Sequence, residues 1–133
     1  MLNHHLFLET ESFRIYYNPA DDLIYAVWIG NSTLEQVKFK SDNILRFLIS
    51  QHCTKLLSDH RQRTGILADT TDWTHYDWIP RAEAAGLKAV AIVYSPELYS
   101  KLSADQLINQ YKGKVSAFAF NDIELAENWL RLI

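Results

Sequence analysis

Hydrophobic and polar positions in the first quarter of the chain follow the pattern of a β-hairpin. Residues 13–17 are rich in aromatic and β-branched side chains, residues 18–22 supply turn-forming Asn, Pro and Asp, and residues 23–29 are apolar again. Two strands joined by a turn have this composition. The polar His4–His5 pair before the hairpin lacks such a pattern, and we expect it to belong to a frayed terminus.

Apolar side chains then change to the spacing of a helix. Gly30 interrupts the second strand, and Ser32 and Glu35 stand three residues apart, as in a capping box. Beyond them, apolar residues recur every three or four positions as far as about Ser50. This spacing predicts an amphipathic helix that has Ser32 as its N-cap.

A buried strand and a second helix are predicted in the middle of the chain. The apolar run Lys55–Ser58 is followed by charged residues, so we expect a strand whose end emerges into solvent near Asp59. A helical pattern follows and stops at Gly86, a residue typical of helix C-termini. Because Pro80 would remove an amide from a helix interior, we predict that this helix begins near Asp77.

The last third of the chain continues the alternation of strands and helices. Residues 88–94 are almost uniformly apolar, which predicts a central strand covered on both faces. The remaining predicted elements are a turn at Ser95–Pro96, a helix from Ser103 to about Lys112, a strand over 115–120 and a final helix capped by Asn121.

This order of elements predicts an α/β fold with right-handed crossovers. We expect one mixed sheet of about four to five strands, with the antiparallel hairpin at its N-terminal edge and about four flanking helices. A length of 133 residues fits a single domain that spans 1–133.

Composition and charge exclude several classes of protein. A net charge of −3 provides no basic field for nucleic acid. Cys53 is the sole cysteine, which excludes a disulfide framework and a zinc site built on several thiolates. The first residues do not form a secretory signal, and no run of about 18 apolar residues predicts a transmembrane segment. We therefore expect a cytoplasmic protein without a metal or cofactor.

Four segments, in this order and spacing, resemble the SpoIIAA-like branch of the STAS/SEC14 family of small bacterial domains. The segments are Trp28–Gly30, Leu56–Arg61, Trp73–Gly86 and Ala126–Leu130, and the resemblance covers roughly residues 12 to 131. It implies a STAS/SpoIIAA-like fold with a four- or five-stranded sheet flanked by helices. Most members of this branch have no established activity.

The resemblance also implies a candidate regulatory site. In the anti-anti-sigma relatives, a phosphorylated Ser or Thr follows an Asp where a helix opens, and the nearest match here is Asp69-Thr70-Thr71-Asp72. Asp72 replaces the small residue of that pattern. A phosphate on Thr70 or Thr71 would place about −1.5 to −2 charges between two carboxylates. We therefore favour ordinary loop hydroxyls over a phosphorylation switch.

Two segments carry candidate chemistry. Three carboxylates, one imidazole and three aromatic rings lie between residues 69 and 78, but their spacing matches no standard metal site. The structural alternative is that Asp72 or Thr74 caps a helix while Trp73 and Trp78 pack into the core.

The second segment is Asp59-His60-Arg61, at the predicted end of a strand. It could line a cleft, because ligands in open α/β sheets gather outside the carboxyl ends of strands. The structural alternative is an ion pair between Asp59 and Arg61.

The leading hypothesis is a non-enzymatic, STAS-like binding or regulatory module. It would engage a protein partner or a small anionic ligand near Asp59, Arg61, Trp73, Trp78 and Arg81. The first alternative is a small hydrolase or isomerase that uses Asp59 and His75, which would have to converge on one cavity. The second is a structural, self-associating domain, since four Trp, seven Tyr and six Phe exceed what so small a core must hide. A homodimer therefore remains open.

Overall fold

One six-stranded mixed sheet organises the described part of the chain. The computed structural model of the protein describes residues 4–64, 68–94, 111 and 115–133. Within these ranges the strands, which neighbour one another in chain order, are β1 (His5–Thr10), β2 (Phe13–Asn18), β3 (Leu23–Gly30), β4 (Lys55–Arg63), β5 (Ala89–Val93) and β6 (Ser116–Phe120). β1, β2 and β3 pair antiparallel, and β3 to β6 pair parallel.

Three helical segments accompany the sheet in the same ranges. They are α1 (Leu34–Ser50), a continuous segment made of α2 (Ala68–Trp73), a π-helical turn (Thr74–Trp78) and α3 (Ile79–Ala84), and finally α4 (Ile123–Arg131). The predicted mixed α/β architecture is confirmed. The predicted turn at Ser95–Pro96 and the predicted helix over 103–112 lie outside the described residues, apart from Tyr111.

Strand β1 accounts for one strand more than predicted. The expected frayed terminus is wrong, because His5 pairs with Tyr17 in a strand that reaches Thr10. A register shift between Leu6 and Leu8 interrupts the alternation of side chains along this strand. Because of that shift and the two leading histidines, the sequence of β1 lacks the regular alternation of apolar and polar residues that predicts a strand.

The two faces of the sheet carry separate apolar cores. α1 and the helical segment 68–84 cover one face, where Phe13, Ile15, Ile24, Leu56, Val90 and Ile92 pack with Val37, Ile44, Trp78 and Ile79. α4 covers the other face, where Leu23, Tyr25, Leu57, Ala91 and Val93 pack with Ala126 and Leu130. Every residue of β5 is buried, as predicted for a strand covered on both faces. β5 pairs with β4 on one side and with the edge strand β6 on the other, so it is an interior strand of the sheet.

The predicted N-caps of α1 and α4 are each displaced by one residue. Thr33, not Ser32, is the N-cap of α1: its side chain accepts from the amide of Gln36, whose side chain accepts from the amide of Thr33. In α4 the cap is Asp122, which accepts from the amide of Glu124. Ser32 is instead buried, and its hydroxyl oxygen accepts a hydrogen bond from Nζ of Lys40.

The helical segment 68–84 begins much earlier than predicted. It passes through Asp77 without interruption, and a π-helical turn carries the backbone toward Pro80. In that turn the amide of Ile79 donates to the carbonyl of Thr74, five residues back. The wider turn relieves the contact between the proline ring and the preceding turn, which would break a regular α-helix. Gly86 follows the segment with φ of +111°, as the predicted C-terminal signal requires.

Strand β4 is longer than predicted, and this changes the site. The prediction that it emerges into solvent after Ser58 is wrong, since the strand continues to Arg63. Asp59, His60 and Arg63 are only 3%, 4% and 6% exposed. Asp59, His60 and Arg63 therefore belong to the interior, whereas Arg61 and Gln62 between them are exposed.

No helix within the described ranges is both long and apolar enough to span a membrane.

Candidate functional site

A small cavity lies between the sheet, α1 and the helical segment 68–84. Its volume is about 50 Å³, which is room for a few water molecules. Trp28 and Trp78 are among its apolar walls. The polar side chains that line it include Ser58, His60, Arg63, Thr70, Thr71 and Thr74.

Four side chains on β3 and β4 form a connected polar chain at this cavity. The Nη1 atom of Arg63 is 3.3 Å from Nδ1 of His60, and Nε2 of His60 is 2.8 Å from the Oγ atom of Ser58. The indole Nε1 of Trp28 donates to the same Oγ atom over 3.0 Å. The rings of Trp28 and His60 are stacked, with an interplanar angle of 9°.

The donors and acceptors in this chain determine the protonation of His60. A guanidinium has no acceptor, so Arg63 donates and Nδ1 of His60 accepts. Burial, and secondarily the charge of Arg63, hold the pKa of His60 well below 6.5, which keeps the ring neutral. We therefore assign the single ring proton to Nε2, which donates to Ser58.

Ser58 becomes a hydrogen-bond donor to the cavity as a result. Its oxygen accepts from both Trp28 and His60, which occupies its two lone pairs. Its own hydroxyl hydrogen is used by neither contact. Because His60 already carries a proton on the nitrogen that faces Ser58, His60 does not act as the base that a nucleophilic serine needs.

A register shift between β3 and β4 places Arg63 in the cavity. Val27 pairs with Asp59 and Ile29 pairs with Gln62, so β4 has one residue more than β3 between these pairs. If β4 paired with β3 without this shift, alternation would place Arg63 on the same face as Asp59. With the shift, the Cζ atom of Arg63 lies 4.7 Å from the centre of the Trp28 ring.

A second buried cation contacts the same indole ring. Lys40 of α1 is 3% exposed, and its Nζ atom lies 5.8 Å from the centre of the Trp28 ring. It donates to the Oγ atom of Ser32 over 2.8 Å and to the carbonyl of Ser12 over 3.4 Å. Burial, and then the charge of Arg63, lower the pKa of Lys40.

Asp59 and Arg61 are placed on the opposite face from this cavity. They follow Leu57, which packs against α4, whereas Ser58 and His60 follow Leu56, which packs on the cavity side. Arg61 donates from Nε and Nη2 to the two carboxylate oxygens of Asp59, over 2.9 and 2.8 Å. The ion pair considered from the sequence is therefore present. Asp59 raises the pKa of Arg61.

Trp73, Trp78 and Arg81 lie together on the cavity side. Trp78 is buried and donates to the carbonyl of Ser41 over 2.6 Å, while Trp73 packs at the edge of the same core. Arg81 is 5.9 Å from the Trp73 ring and pairs with Asp42 and Asp77, each over 2.9 Å. The predicted ligand cluster is thus divided between the two faces of the sheet.

The remaining candidates on the helical segment fall into two groups. Thr70 is 2% exposed and, with Thr71 and Thr74, lines the cavity. Neither Asp72 nor Thr74 caps a helix: Thr74 lies inside the segment and donates to the carbonyl of Thr70 over 2.8 Å. His75 belongs to the segment on the cavity side, so the structure does not bring it together with Asp59.

Several aromatic side chains are exposed at the surface, as their number predicts. Tyr76 is 77% exposed and Phe118 is 55% exposed. Phe118 lies 5.1 Å from the ring of Trp129, edge to face, where β6 meets α4. Self-association through such residues remains a prediction.

The sequence indicates His60 as a candidate but not its neighbours at the cavity. Arg63 stands in a charged run that is typical of a solvated strand end, and the shift that places it in the cavity depends on pairing with β3. Lys40 carried a recognisable signal: it stands between Val37 and Ile44 on the apolar stripe of α1. Because lysine, like a carboxylate, is almost never fully buried unless it is paired, a lysine on a buried stripe indicates a candidate site residue.

Metal-binding clusters are absent from the described ranges, where no three His, Cys, Asp or Glu side chains are grouped suitably.

Comparison with known proteins concerns the fold. No protein-family model matches the chain, and no curated protein matches it in sequence. The chain is similar in structure to an uncharacterized protein from the DUF3478 family with a SpoIIAA-like fold, from Shewanella loihica PV-4. The TM-score is 0.59, and the alignment covers 96% of this chain and 91% of that one.

The chain has a SpoIIAA-like fold. The SpoIIAA-like fold expected from the four sequence segments is therefore confirmed, with six strands in the described residues where four or five were expected. The two chains share 15% sequence identity, so this similarity shows the fold alone.

Proposed function

We propose that the protein is a non-enzymatic binding or regulatory module that takes a small anionic ligand in the cavity beside Trp28. One observation carries this proposal. The guanidinium of Arg63, 6% exposed, lines a cavity together with Ser58, His60 and the hydroxyls of the helical segment.

The chemistry of the walls favours an anion. Arg63 has only donor groups, and the Ser58 hydroxyl has a hydrogen that its own two contacts do not use. Hydrogen bonds that involve a charged group are stronger than neutral ones, and a partly enclosed site weakens competition from water. A ligand with acceptor atoms and negative charge matches these donors.

The size of the cavity limits the ligand. About 50 Å³ accommodates one small group such as a carboxylate or a phosphate. A lipid chain or a complete nucleotide would have to lie mainly outside. The proposal therefore concerns a small ion or the charged head of a larger molecule.

The protonation of His60 favours binding over catalysis. A serine hydrolase needs a histidine nitrogen that accepts the serine proton. Here the nitrogen that faces Ser58 carries a proton, and Arg63 occupies the other one. Ser58 is therefore proposed to bind the ligand and not to attack it.

Titration calorimetry with acetate, phosphate and sulfate tests the proposal. We expect at least one of these ions to bind the wild-type protein at millimolar concentration or below. Arg63→Met should weaken binding roughly 10- to 100-fold, because a hydrogen bond to a charged group contributes about 1.5–3 kcal/mol.

The matched control is Arg61→Met, which removes an arginine two positions away on the opposite face and should leave binding unchanged. Thr71→Val is a milder change in the cavity wall and serves if Arg63→Met does not fold. If none of the three ions binds the folded wild-type protein, the proposed function is wrong.

A further inference from the structure

We infer that the outer edge of β6 is the contact surface for a second copy of this chain. With the adjoining side of α4, this edge forms a two-fold symmetric dimer in which the sheet continues from one copy into the other. α4 and the cavity lie on opposite faces of the sheet, so the dimer surface is separate from the proposed anion site. The dimer does not depend on anion binding.

The two edges of the sheet differ in how well they accept another strand. β1 contains a register shift between Leu6 and Leu8, and it carries His5 and Glu9. Irregular pairing and charged side chains are common means by which an edge strand avoids pairing with another molecule. β6 pairs with β5 in a regular register and has neither a charged residue nor a proline. β6 is therefore the edge suited to pairing.

The backbone groups of Ala117 and Ala119 point outward from this edge. The amide of Ser116 donates to the carbonyl of Lys88, and the carbonyl of Phe120 accepts from the amide just after β5, both over 2.9 Å. Because the backbone groups of successive residues in a strand point to opposite sides, those of Ala117 and Ala119 point away from β5. Within the described ranges, β5 is the only strand beside β6.

One register uses all of these outward groups. When two copies of β6 pair antiparallel about a two-fold axis at Phe118, Ala117 of each copy lies opposite Ala119 of the other, and each such pair exchanges both N–H···O=C bonds. The two copies of Phe118 then form a non-hydrogen-bonded pair, with Cα atoms about 4.5 Å apart and side chains in close contact. Like charges do not meet along the strand, since β6 has none.

The side chains around Phe118 form an apolar surface that a second copy covers. Phe118 is 55% exposed and Leu125 is 54% exposed. The ring of Trp129 lies 5.1 Å from that of Phe118. Leu125 and Trp129 are four residues apart on α4, so they lie on the same side of the helix, the side toward β6. Cross-strand pairing of the two Phe118 rings would bury the centre of this surface.

The two α4 helices fit such a dimer in spacing and in charge. Neighbouring strands are about 4.8 Å apart, so β5 and its copy, which pack under the α4 helices, lie roughly 14 Å apart. Helices in contact are about 8–10 Å apart, and the side chains of Phe118, Leu125 and Trp129 from both copies fill the difference. The two-fold axis makes the helices antiparallel. It thus brings the acidic first turn of one, with Glu124, toward the basic last turn of the other, with Arg131.

The size of the surface indicates a weak dimer. An aromatic side chain buries about 150–250 Å², so three side chains that are already partly buried leave on the order of 300 Å² per copy for contact. A stable interface buries about 800 Å² per partner, which the edge of a five-residue strand does not supply in addition. We therefore expect a dissociation constant of about 10–100 μM.

Sedimentation velocity over a range of concentrations tests the dimer. Wild type should change from monomer to dimer between about 1 and 500 μM, without larger species, because a two-fold contact closes on itself. Phe118→Glu places like charges opposite each other and should weaken dimerisation about tenfold or more. Leu6→Glu makes the same change at the other edge of the sheet, at a position 51% exposed, and should behave as wild type.

A cysteine cross-link tests the register. Phe118→Cys brings two thiols together at a Cα–Cα distance of about 4.5 Å, within the range of about 4.4–6.8 Å that a disulfide spans. Ser116→Cys is exposed and two residues away, but in this register it lies roughly 14 Å from its own copy. Oxidised glutathione should therefore convert Phe118→Cys into a covalent dimer and leave Ser116→Cys monomeric on a non-reducing gel. Cys53 is buried and is common to both variants.

The outcomes distinguish this dimer from other arrangements. Wild type that stays monomeric at about 500 μM overturns the dimer, whether or not the cavity binds anions. A dimer that Leu6→Glu disrupts and Phe118→Glu does not disrupt places the contact at β1 and equally overturns it. Equal cross-linking of Phe118→Cys and Ser116→Cys contradicts the two-fold register. If Phe118→Glu does not fold, wild-type sedimentation and the pair of cysteine variants decide.

Discussion

His60 is the residue on which the polar chain at the cavity depends. It accepts from Arg63 at one nitrogen and donates to Ser58 from the other. A second proton on the ring would remove the acceptor and place a charge beside a guanidinium. The folded protein therefore holds His60 neutral, and its pKa is well below that of an exposed histidine.

This lowered pKa predicts a loss of stability in mild acid. As pH falls below about 6.5, the unfolded chain takes up a proton on His60 that the folded state does not. The free energy of unfolding should then decrease by up to about 1.4 kcal/mol per pH unit through this one group. Urea unfolding of wild type and His60→Gln at pH 7, 6 and 5 measures it, with a flatter dependence expected for the variant.

His52→Asn is the control for the pH series. His52 is exposed and has a positive φ of 51°, a conformation that Asn accepts readily. This variant should keep the wild-type dependence on pH. Parallel curves for wild type and His60→Gln would contradict the assignment of the neutral ring.

At the scale of elements, the start of α1 links stability to the buried lysine. Thr33 caps the helix, and the neighbouring Ser32 binds Lys40. From sequence, either hydroxyl could be the cap, because both precede a Glu or Gln at the required distance. The structure distinguishes them, since only a buried Ser32 can reach the ammonium group.

Removal of the cap should destabilise the protein by about 1 kcal/mol. Thr33→Ala leaves the amide of Gln36 without its acceptor and is expected to lower the urea midpoint. Asn31→Ala, an exposed position just before the helix, is the matched control and should change stability by no more than about 0.5 kcal/mol. Equal effects of the two changes would show that Thr33 is not the cap.

The predictions from sequence were most accurate where local pattern decides the structure. The β2–β3 hairpin, α1, the buried β5 and Gly86 follow from residue spacing and turn chemistry. The sequence predicts a β4 that is too short, because a polar run resembles a solvated strand end when its partners are unknown. The indole of Trp28 donates a hydrogen bond to Ser58, thirty residues away, and no local sequence pattern predicts such a contact.

The site was predicted less well than the fold for a geometric reason. The sequence predicts Asp59 and Trp78 to lie in one ligand site, but the alternation of side chains along β4 places Asp59 on the α4 side of the sheet. The register shift then brings Arg63 to the cavity side. A prediction of the site therefore requires the pairing of β4 with β3, which depends on contacts across the sheet.

At the scale of the whole molecule, the sheet separates the α4 core from the cavity. α4 and its core lie on one face, where Tyr25 donates to Glu127 and Arg131 pairs with Asp21 over 2.9 Å. Burial, together with Glu127, raises the pKa of Tyr25. The cavity lies on the other face. Changes under α4 should therefore affect folding without altering the proposed ligand site.

Leu130→Ala tests this separation. Leu130 is 1% exposed, and its truncation should cost about 2–5 kcal/mol of unfolding free energy. Leu132→Ala, at a position 85% exposed, should have almost no effect. At a temperature where both variants are folded, calorimetry should give the wild-type anion affinity, and a large loss in Leu130→Ala would show that the two faces are coupled.

The register shift in β4 has a consequence for evolution. A strand with one residue fewer between Asp59 and Gln62 would pair regularly with β3 and still hold Arg63 opposite Gly30, on the cavity side. Regular pairing of the strand at its present length would instead turn Arg63 toward α4. Related domains that keep an arginine at this cavity should therefore have either the extra residue or a strand shorter by one, and an alignment that ignores the gap would compare side chains on opposite faces of the sheet.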